Sequence, residues 1–174
     1  MSSRARPTLV GWKVGSLSSK LASVRYRALL PMMALEAAGV RHRLFSEGHE
    51  SFLDGLDALV LVKTFTPDDL LLAQLARGRG LPVFIDLCDN VCIEGYGGNR
   101  KGISPARMLL SMSAYVQSIV TTTEPLADII RTHVPGVPVV VIPDGIEETA
   151  AVQRMPALLA EAAAREEQGR SRRI

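Results

Sequence analysis

Two adjacent segments decide the fold, Ala58 to Val62 (ALVLV) and Thr66 to Asp69 (TPDD). The first is a continuous apolar run, which is typical of a central parallel strand covered on both faces. The second places a cap residue before a proline and two acids, which predicts a helix that begins here and ends near Gly78 to Gly80. A buried strand followed directly by a helix is half of a βαβ unit.

The same alternation of strands and helices extends in both directions along the chain. Further strands are predicted at Thr8 to Val14, Arg41 to Ser46, Leu81 to Leu87, Ser118 to Thr122 and Val137 to Ile142. Further helices are predicted at Ala22 to Ala38, Ser104 to Tyr115 and Thr123 to His133. This order predicts an α/β fold with a doubly wound, mostly parallel Rossmann-like sheet of about six strands and helices on both faces.

Two features interrupt this regular pattern. Pro31 lies inside a helical stretch, and because proline lacks a backbone N–H, it is expected to kink or break that helix. From Glu147 to Ile174 the chain is rich in Ala, Glu and Arg, which predicts a helix from Pro156 to Glu167 and a basic linker from Gly169. The predicted division is therefore a Rossmann-like domain at 1–147 and a C-terminal helix with linker at 148–174.

Composition excludes several classes of protein. The net charge of +2 and the aromatic content of 5% argue against nucleic-acid binding. No apolar run approaches the roughly 18 residues of a membrane span, and the N-terminus lacks a signal-peptide core, so a cytoplasmic location is the default. The spacing of Cys88 and Cys92 and that of the three histidines match no usual metal site, so we expect ordinary thiols, no metal and no cofactor.

Ligands of such sheets bind beyond the carboxyl ends of the strands, so the loops at that edge hold the candidate residues. The loop after the first strand (GSLSSKLAS) leads into a helix N-terminus, where free N–H groups attract anions. It matches neither GxGxxG nor a P-loop, so it predicts no dinucleotide site. It is either a binding loop for an acceptor or a phosphate, or a polar connection that caps the helix. The candidate substrate-binding residues here are Gly15, Ser16, Ser18, Ser19, Lys20 and Arg25.

Asp86, Asp89 and Asn90 lie at and just beyond the carboxyl end of the fourth strand. A carboxylate in this position can orient an acceptor hydroxyl or take its proton, which makes Asp89, and next to it Asp86, the candidate catalytic residues. The alternative is that one aspartate caps the loop. Asn90 is a candidate for substrate binding.

Two further loops carry basic side chains. Lys63 follows the third strand and either reaches into the cleft or is solvated. The glycine-rich segment from Gly95 to Gly102 either closes over a ligand or is a surface loop. Its basic pair, Arg100 and Lys101, suits a phosphate or an anionic acceptor.

The order of these motifs resembles the N-terminal half of GT-B glycosyltransferases. The resemblance runs through ASVRYRALLPMMALEAAGV with RHRLF, LPVFIDLCDN and SIVTTTEPLADIIR, and is clearest at VVVIPDGIE, Val139 to Glu147. In that family such a phrase ends the last strand of the N-terminal domain and leads into the linker. The resemblance covers about residues 8 to 147.

The resemblance implies an acceptor-binding half of an enzyme that transfers a sugar from a nucleotide-sugar donor. The implied partners are a sugar or glycoconjugate acceptor and a donor bound mainly through a missing C-terminal domain, so that this chain alone is inactive. Peripheral membrane contact and a homodimer through the C-terminal helix are further expectations. The alternatives are a non-catalytic Rossmann-like ligand-binding module and a small α/β enzyme such as an oxidoreductase, against which the absent GxGxxG argues.

Overall fold

Six parallel strands form one sheet in the computed structural model, which describes residues 8–93, 95–96 and 103–171. The strands are β1 (Leu9–Val14), β2 (Arg41–Phe45), β3 (Ala58–Val62), β4 (Val83–Leu87), β5 (Ser118–Thr121) and β6 (Val139–Val141). Their order is β2-β1-β3-β4-β5-β6, with every neighbouring pair parallel. The predicted doubly wound α/β fold is confirmed.

The helices are α1 (Ala22–Val24), α2 (Leu30–Ala37), α3 (Pro67–Gly78), α4 (Pro105–Met112), α5 (Glu124–His133) and α6 (Thr149–Ser171). Short 3₁₀ turns occupy Glu50–Leu53 and Ser113–Tyr115. Helices α3, α4 and α5 pack on one side of the sheet, called here the first face, through residues such as Leu72, Met108 and Ile130. Helices α1, α2 and α6 pack on the opposite side, the second face, through Val24, Met32 and Leu159 among others.

Pro31 neither breaks nor sharply ends its helix. A π-helical turn at Arg25–Leu29 joins α1 to α2 directly in front of it. Pro31 has no N–H to donate to the carbonyl of residue 27, so the regular helical hydrogen bond between these two residues cannot form. The wider π-helical turn accommodates this gap in the hydrogen-bond pattern. The turn also matters for the site, since it carries Arg27 toward the sheet.

The predicted start of α3 is confirmed in detail. Thr66 Oγ1 accepts from the Asp69 N–H at 3.2 Å, and the Thr66 N–H donates to Asp69 Oδ2 at 2.7 Å, which forms a capping box. Asp69 is fully buried, and its Oδ1 lies 2.9 Å from Lys13 Nζ. Burial alone would raise the pKa of the Asp69 carboxyl, but Lys13 and the hydroxyls of Thr64 and Thr66 lower that pKa below its ordinary value.

Helix α6 is longer than the sequence predicts, because it begins at Thr149 and continues to Ser171. Pro156 lies inside it rather than at its start, and the side chain of Pro156 is exposed. The buried Glu166 anchors this helix to the loop after β2. Its carboxylate accepts from the Ser46 and Glu47 backbone N–H groups and from Ser46 Oγ.

Replacing Glu166 with glutamine is expected to lower the free energy of unfolding by about 1–3 kcal/mol, because the hydrogen bonds to the partly buried donors of Ser46 and Glu47 lose their charge assistance. Amide hydrogen exchange in α6 should speed up more than exchange in the sheet. Glu167→Gln, on the exposed side of the same turn, is the matched control and should leave both measurements unchanged. Equal effects of the two substitutions would show that Glu166 does not anchor the helix.

Among the described residues, no helix combines the length and apolarity needed to cross a membrane. The predicted division of the chain at residue 147, the homodimer contact through α6 and the exclusion of nucleic acid stay predictions.

Candidate functional site

The second face of the sheet is covered unevenly. Strand register places Val14, Val62, Asp86, Val120 and Val140 in one row across this face. Val14 is 0% exposed at the β1 end of the row, whereas Val140 is 46% exposed at the β6 end. Since all-parallel sheets are normally covered on both faces, the open area over β4, β5 and β6 is the first unusual feature of this fold.

A groove of about 690 Å³ lies over β4 and β5 in this area and reaches β3 and β1. Its floor is the sheet itself, with Trp12, Val60, Phe84 and Val120. One wall is α2, which contributes Leu30, Pro31, Ala34 and Leu35, and the other is the segment after β6, which contributes Ile142, Pro143 and Ile146. The volume and the apolar lining lie within the range of small-molecule sites in proteins.

An ion pair closes the carboxyl end of the groove. Arg27 Nε lies 2.7 Å from Asp86 Oδ1 and Arg27 Nη2 lies 2.9 Å from Asp86 Oδ2, a bidentate pair whose side chains are both buried. Arg27 Nη1 also donates to the Ile142 carbonyl at 2.9 Å and to Asp144 Oδ1 at 3.2 Å. Arg27 therefore fastens the segment 142–148, called here the strap, to the end of β4.

A second ion pair holds the other end of the strap. Arg25 Nε lies 2.6 Å from Glu147 Oε1, and Arg25 Nη1 donates to the Ser19 carbonyl at 2.8 Å. Between these two anchors, Ile146 is 91% exposed at the lip of the groove. The strap thus has fixed ends and an apolar middle that faces solvent.

Electrostatically, this end of the groove is acidic. Arg27 is shared between Asp86 and Asp144. Glu148 lines the groove, and none of the ion pairs between described residues includes it. Burial raises the pKa of the Asp86 carboxyl, Arg27 opposes that rise, and the nearby charge of Asp144 adds to it.

The structure brings two of the sequence-predicted residues together, Lys63 and Asp89. They form an ion pair beyond the ends of β3 and β4, and Tyr96 Oη donates to Asp89 Oδ2 at 3.2 Å. Burial would lower the pKa of Lys63, but the hydrogen bond and charge of Asp89 raise it above its ordinary value. Lys63 also has a φ of 47°, in the left-handed region that non-glycine residues rarely adopt.

Asp86 lies apart from Asp89, on the floor side of the groove rather than in the loop. Its oxygens hold Arg27, and among the predicted site residues that the structure describes, it is the one that lines the groove. Asn90 Oδ1 accepts from the Cys92 N–H at 3.0 Å, the loop-capping bond typical of asparagine. The catalytic roles predicted for Asp86 and Asp89 and the substrate contact predicted for Asn90 stay predictions.

The residues predicted after β1 form a local turn that does not line the groove. Ser18 N–H donates to the Ser16 carbonyl at 3.0 Å, and Ser18 Oγ accepts from the Lys20 N–H at 3.3 Å. Gly15 and Lys20 are exposed, and Ser19 meets Arg25 through its carbonyl. Their predicted contacts with substrate stay predictions. Arg100 and Lys101 lie outside the described residues.

Sequence reasoning missed the floor and walls of the groove. Their residues are apolar, and apolar side chains in strands and helices are expected to be covered. Arg27 was the available signal, since this arginine directly precedes the apolar helical stretch ALLPMMAL. Arginine is almost never fully buried unless it is paired, so an arginine on the core-facing side of a helix is an informative observation.

Comparisons with known proteins identify no family. No protein-family model and no curated protein matches this chain. Among solved structures it is similar to the sugar isomerase domain of an RpiR transcription factor from Sphaerobacter thermophilus, with 18% identity over 95% of this chain and 74% of that chain. The TM-score is 0.35, so this likeness carries no inference about function.

The expected membership in the GT-B glycosyltransferases is wrong. The solved structure reported above is a sugar isomerase domain of a transcription factor, and neither a family model nor a curated protein supports a transferase. The physical reason lies in the motifs themselves. A phrase such as VVVIPDGIE describes a parallel strand that ends in a proline- and glycine-containing turn, which many doubly wound sheets require. With the family, the implied sugar transfer and nucleotide-sugar donor are withdrawn.

Proposed function

We propose that this chain is a ligand-binding module whose site is the groove on the second face. The ligand is a small, largely apolar molecule that packs on Phe84 and Val120 between α2 and the strap. The observation that carries the proposal is the concave, apolar opening of about 690 Å³ over strands that would otherwise be covered.

The shape of the groove supports a small molecule over a polypeptide. Pro31 and Leu35 form one wall, Ile142 and Pro143 form the other, and Arg27 closes the carboxyl end. A concave, walled site buries a compact ligand on several sides, whereas protein partners bind mostly on broader surfaces. Strands β4 and β5 and the ion-paired strap fix most of the lining, so little ordering is needed when a ligand enters.

Trp12 supplies the test, because it is the single tryptophan of the chain and lies on the floor of the groove. Decanol is a suitable neutral probe, and its titration should change Trp12 fluorescence in a saturable manner. Val120→Phe should weaken decanol binding about ten-fold or more, because the larger side chain occupies the floor where the probe would lie.

Val140→Phe is the matched control, since it makes the same change in the same row of the second face but outside the groove lining. It should bind decanol as the wild type does. A non-saturable response, or equal affinities in Val120→Phe and wild type, would rule out the groove as a ligand site. Concentration-dependent dimerisation that hides Trp12 would instead identify the opening as a contact between copies.

We also propose a cytoplasmic location. The free thiols of Cys88 and Cys92 support it, because such thiols persist in reducing compartments. Cell fractionation with thiol labelling tests this proposal, and recovery of the chain with oxidised cysteines in an oxidising compartment would contradict it.

A further inference from the structure

We infer that the groove selects amphiphiles whose polar end is a cation, such as an alkylammonium group, and seats that cation beside Asp144 at the carboxyl end. This inference rests on the proposed function, since it names the class of ligand that the same groove takes. The charges and hydrogen bonds around Arg27 carry it.

The first step concerns the N–H donors of Arg27, which are already engaged in hydrogen bonds within the chain. A guanidinium has five N–H groups. Two of them bind Asp86, and Nη1 donates to the Ile142 carbonyl and to Asp144. An anionic ligand would therefore have to displace a carboxylate that is already well placed on Arg27, and it would meet two negative charges on arrival.

The second step concerns Asp144, whose carboxylate has more acceptor capacity than Arg27 uses. Arg27 satisfies only part of Asp144, which binds it through Oδ1 and whose side chain is 45% exposed. Within the part of the chain that the structure describes, Oδ2 of Asp144 has no hydrogen bond or ion pair. A carboxylate accepts at both oxygens, so this one can take an N–H from an ammonium group without releasing Arg27.

The third step is the charge of the surroundings. Glu148 lies on the groove lining, close in sequence to Asp144. The neighbouring Arg25 does not offset it, because Arg25 is paired with Glu147. One cation, Arg27, lines the groove together with two carboxylates, Asp86 and Glu148. Asp144, which is bound to Arg27, adds a third carboxylate beside the lining residues Pro143 and Gly145. A site with this excess favours a positive ligand end through Coulomb attraction next to a low-dielectric wall.

The apolar part of the ligand follows from the rest of the groove. Val120 lies beside Asp86 in the strand register, Phe84 lies two residues before Asp86 on β4, and Leu35 lines the α2 wall. An alkyl or aryl body can lie on these apolar side chains while its polar end meets the strap. Ile146, at the lip, is placed to cover part of such a body. The arrangement therefore matches an amphiphile with one cationic end.

The experiment compares decylamine, decanol and decanoate, which share one chain and differ in the charge of the polar end. Trp12 fluorescence gives the dissociation constant of each at neutral pH and low salt. We expect decylamine to bind about ten-fold more tightly than decanol, decanoate to bind more weakly than decanol, and added salt to reduce the difference between the two charged probes.

Asp144→Asn and Glu148→Gln should each reduce the ratio of decanol to decylamine dissociation constants several-fold. Asp128→Asn, an exposed carboxylate of α5 on the first face, changes the net charge equally and should leave the ratio unchanged. Circular dichroism establishes that each variant is folded.

Equal binding of the three probes, or tightest binding of decanoate, would overturn the cation inference while leaving the ligand site in place. A ratio that responds to Asp128→Asn as strongly as to Asp144→Asn would also overturn it, because the effect would then come from net charge alone. Saturable binding of none of the three would refute the proposed function itself, and the inference with it.

Discussion

Replacing Arg27 with methionine is expected to lower the free energy of unfolding by about 3–5 kcal/mol, the usual cost of breaking a buried ion pair by removing one partner. Asp86 would be left buried without its bidentate partner, and the Ile142 carbonyl and Asp144 would lose the donor that fastens the strap. Chemical denaturation monitored by circular dichroism measures the change.

The matched control is Arg25→Met, which makes the same substitution two residues away in the same π-helical turn. Arg25 and Glu147 remain partly accessible to solvent, so the loss should be much smaller. The double variant Arg27→Met with Asp86→Leu should recover most of the lost stability, because no unpaired charge then remains buried. A double variant as unstable as Arg27→Met would show that the loss arises from packing and not from the stranded carboxylate.

Asp69→Asn is expected to cost a similar amount, about 3–5 kcal/mol, at neutral pH. The asparagine keeps the shape of the side chain, but it leaves the buried Lys13 ammonium without its counter-ion. The substitution also weakens the bonds that Thr64 and Thr66 donate to Asp69 at the start of α3. Asp68→Asn changes an exposed acid of the same first turn and should cost far less, which isolates the effect of burial.

The difference in unfolding free energy between wild type and Asp69→Asn is also expected to depend on pH. The pKa of Asp69 in the folded chain lies below its ordinary value of 3.8, and a carboxyl group of this kind adds stability that is fully present above that value. This contribution is lost as the pH falls through the lower, folded pKa. The difference in unfolding free energy between wild type and Asp69→Asn should therefore hold at neutral pH and narrow below pH 3.8. A difference that stays constant under acid conditions would contradict the assignment.

Local sequence predicted the elements and the class of fold. ALVLV, at Ala58 to Val62, became β3 with the same limits, and Thr66 with Asp69 formed the expected cap. These features depend on periodicity and on the hydrogen-bonding needs of nearby backbone groups, which adjacent residues satisfy. The same local character explains the wrong family assignment, since turn-ending strands are shared by many parallel sheets.

Elements that depend on distant contacts were predicted less well. Helix α6 was placed too short, because Pro156 resembles a helix start in sequence whereas packing of Met155 and Leu159 on the second face extends the helix past it. Pro31 was expected to kink its helix or break it in two, and the structure has a π-helical turn at Arg25–Leu29 in front of it. For α6, tertiary contacts outweighed a local preference.

By itself, then, the sequence determined the alternating strands and helices, the parallel sheet and the helix caps, because residues close together in the chain decide these features. Only the tertiary structure decided that Arg27 meets Asp86, 59 positions away, and that α2 and the strap leave part of the second face open. No spacing in the sequence encodes either result. Strand order, register and the side on which each crossover packs place these groups together, and those properties belong to the folded chain as a whole.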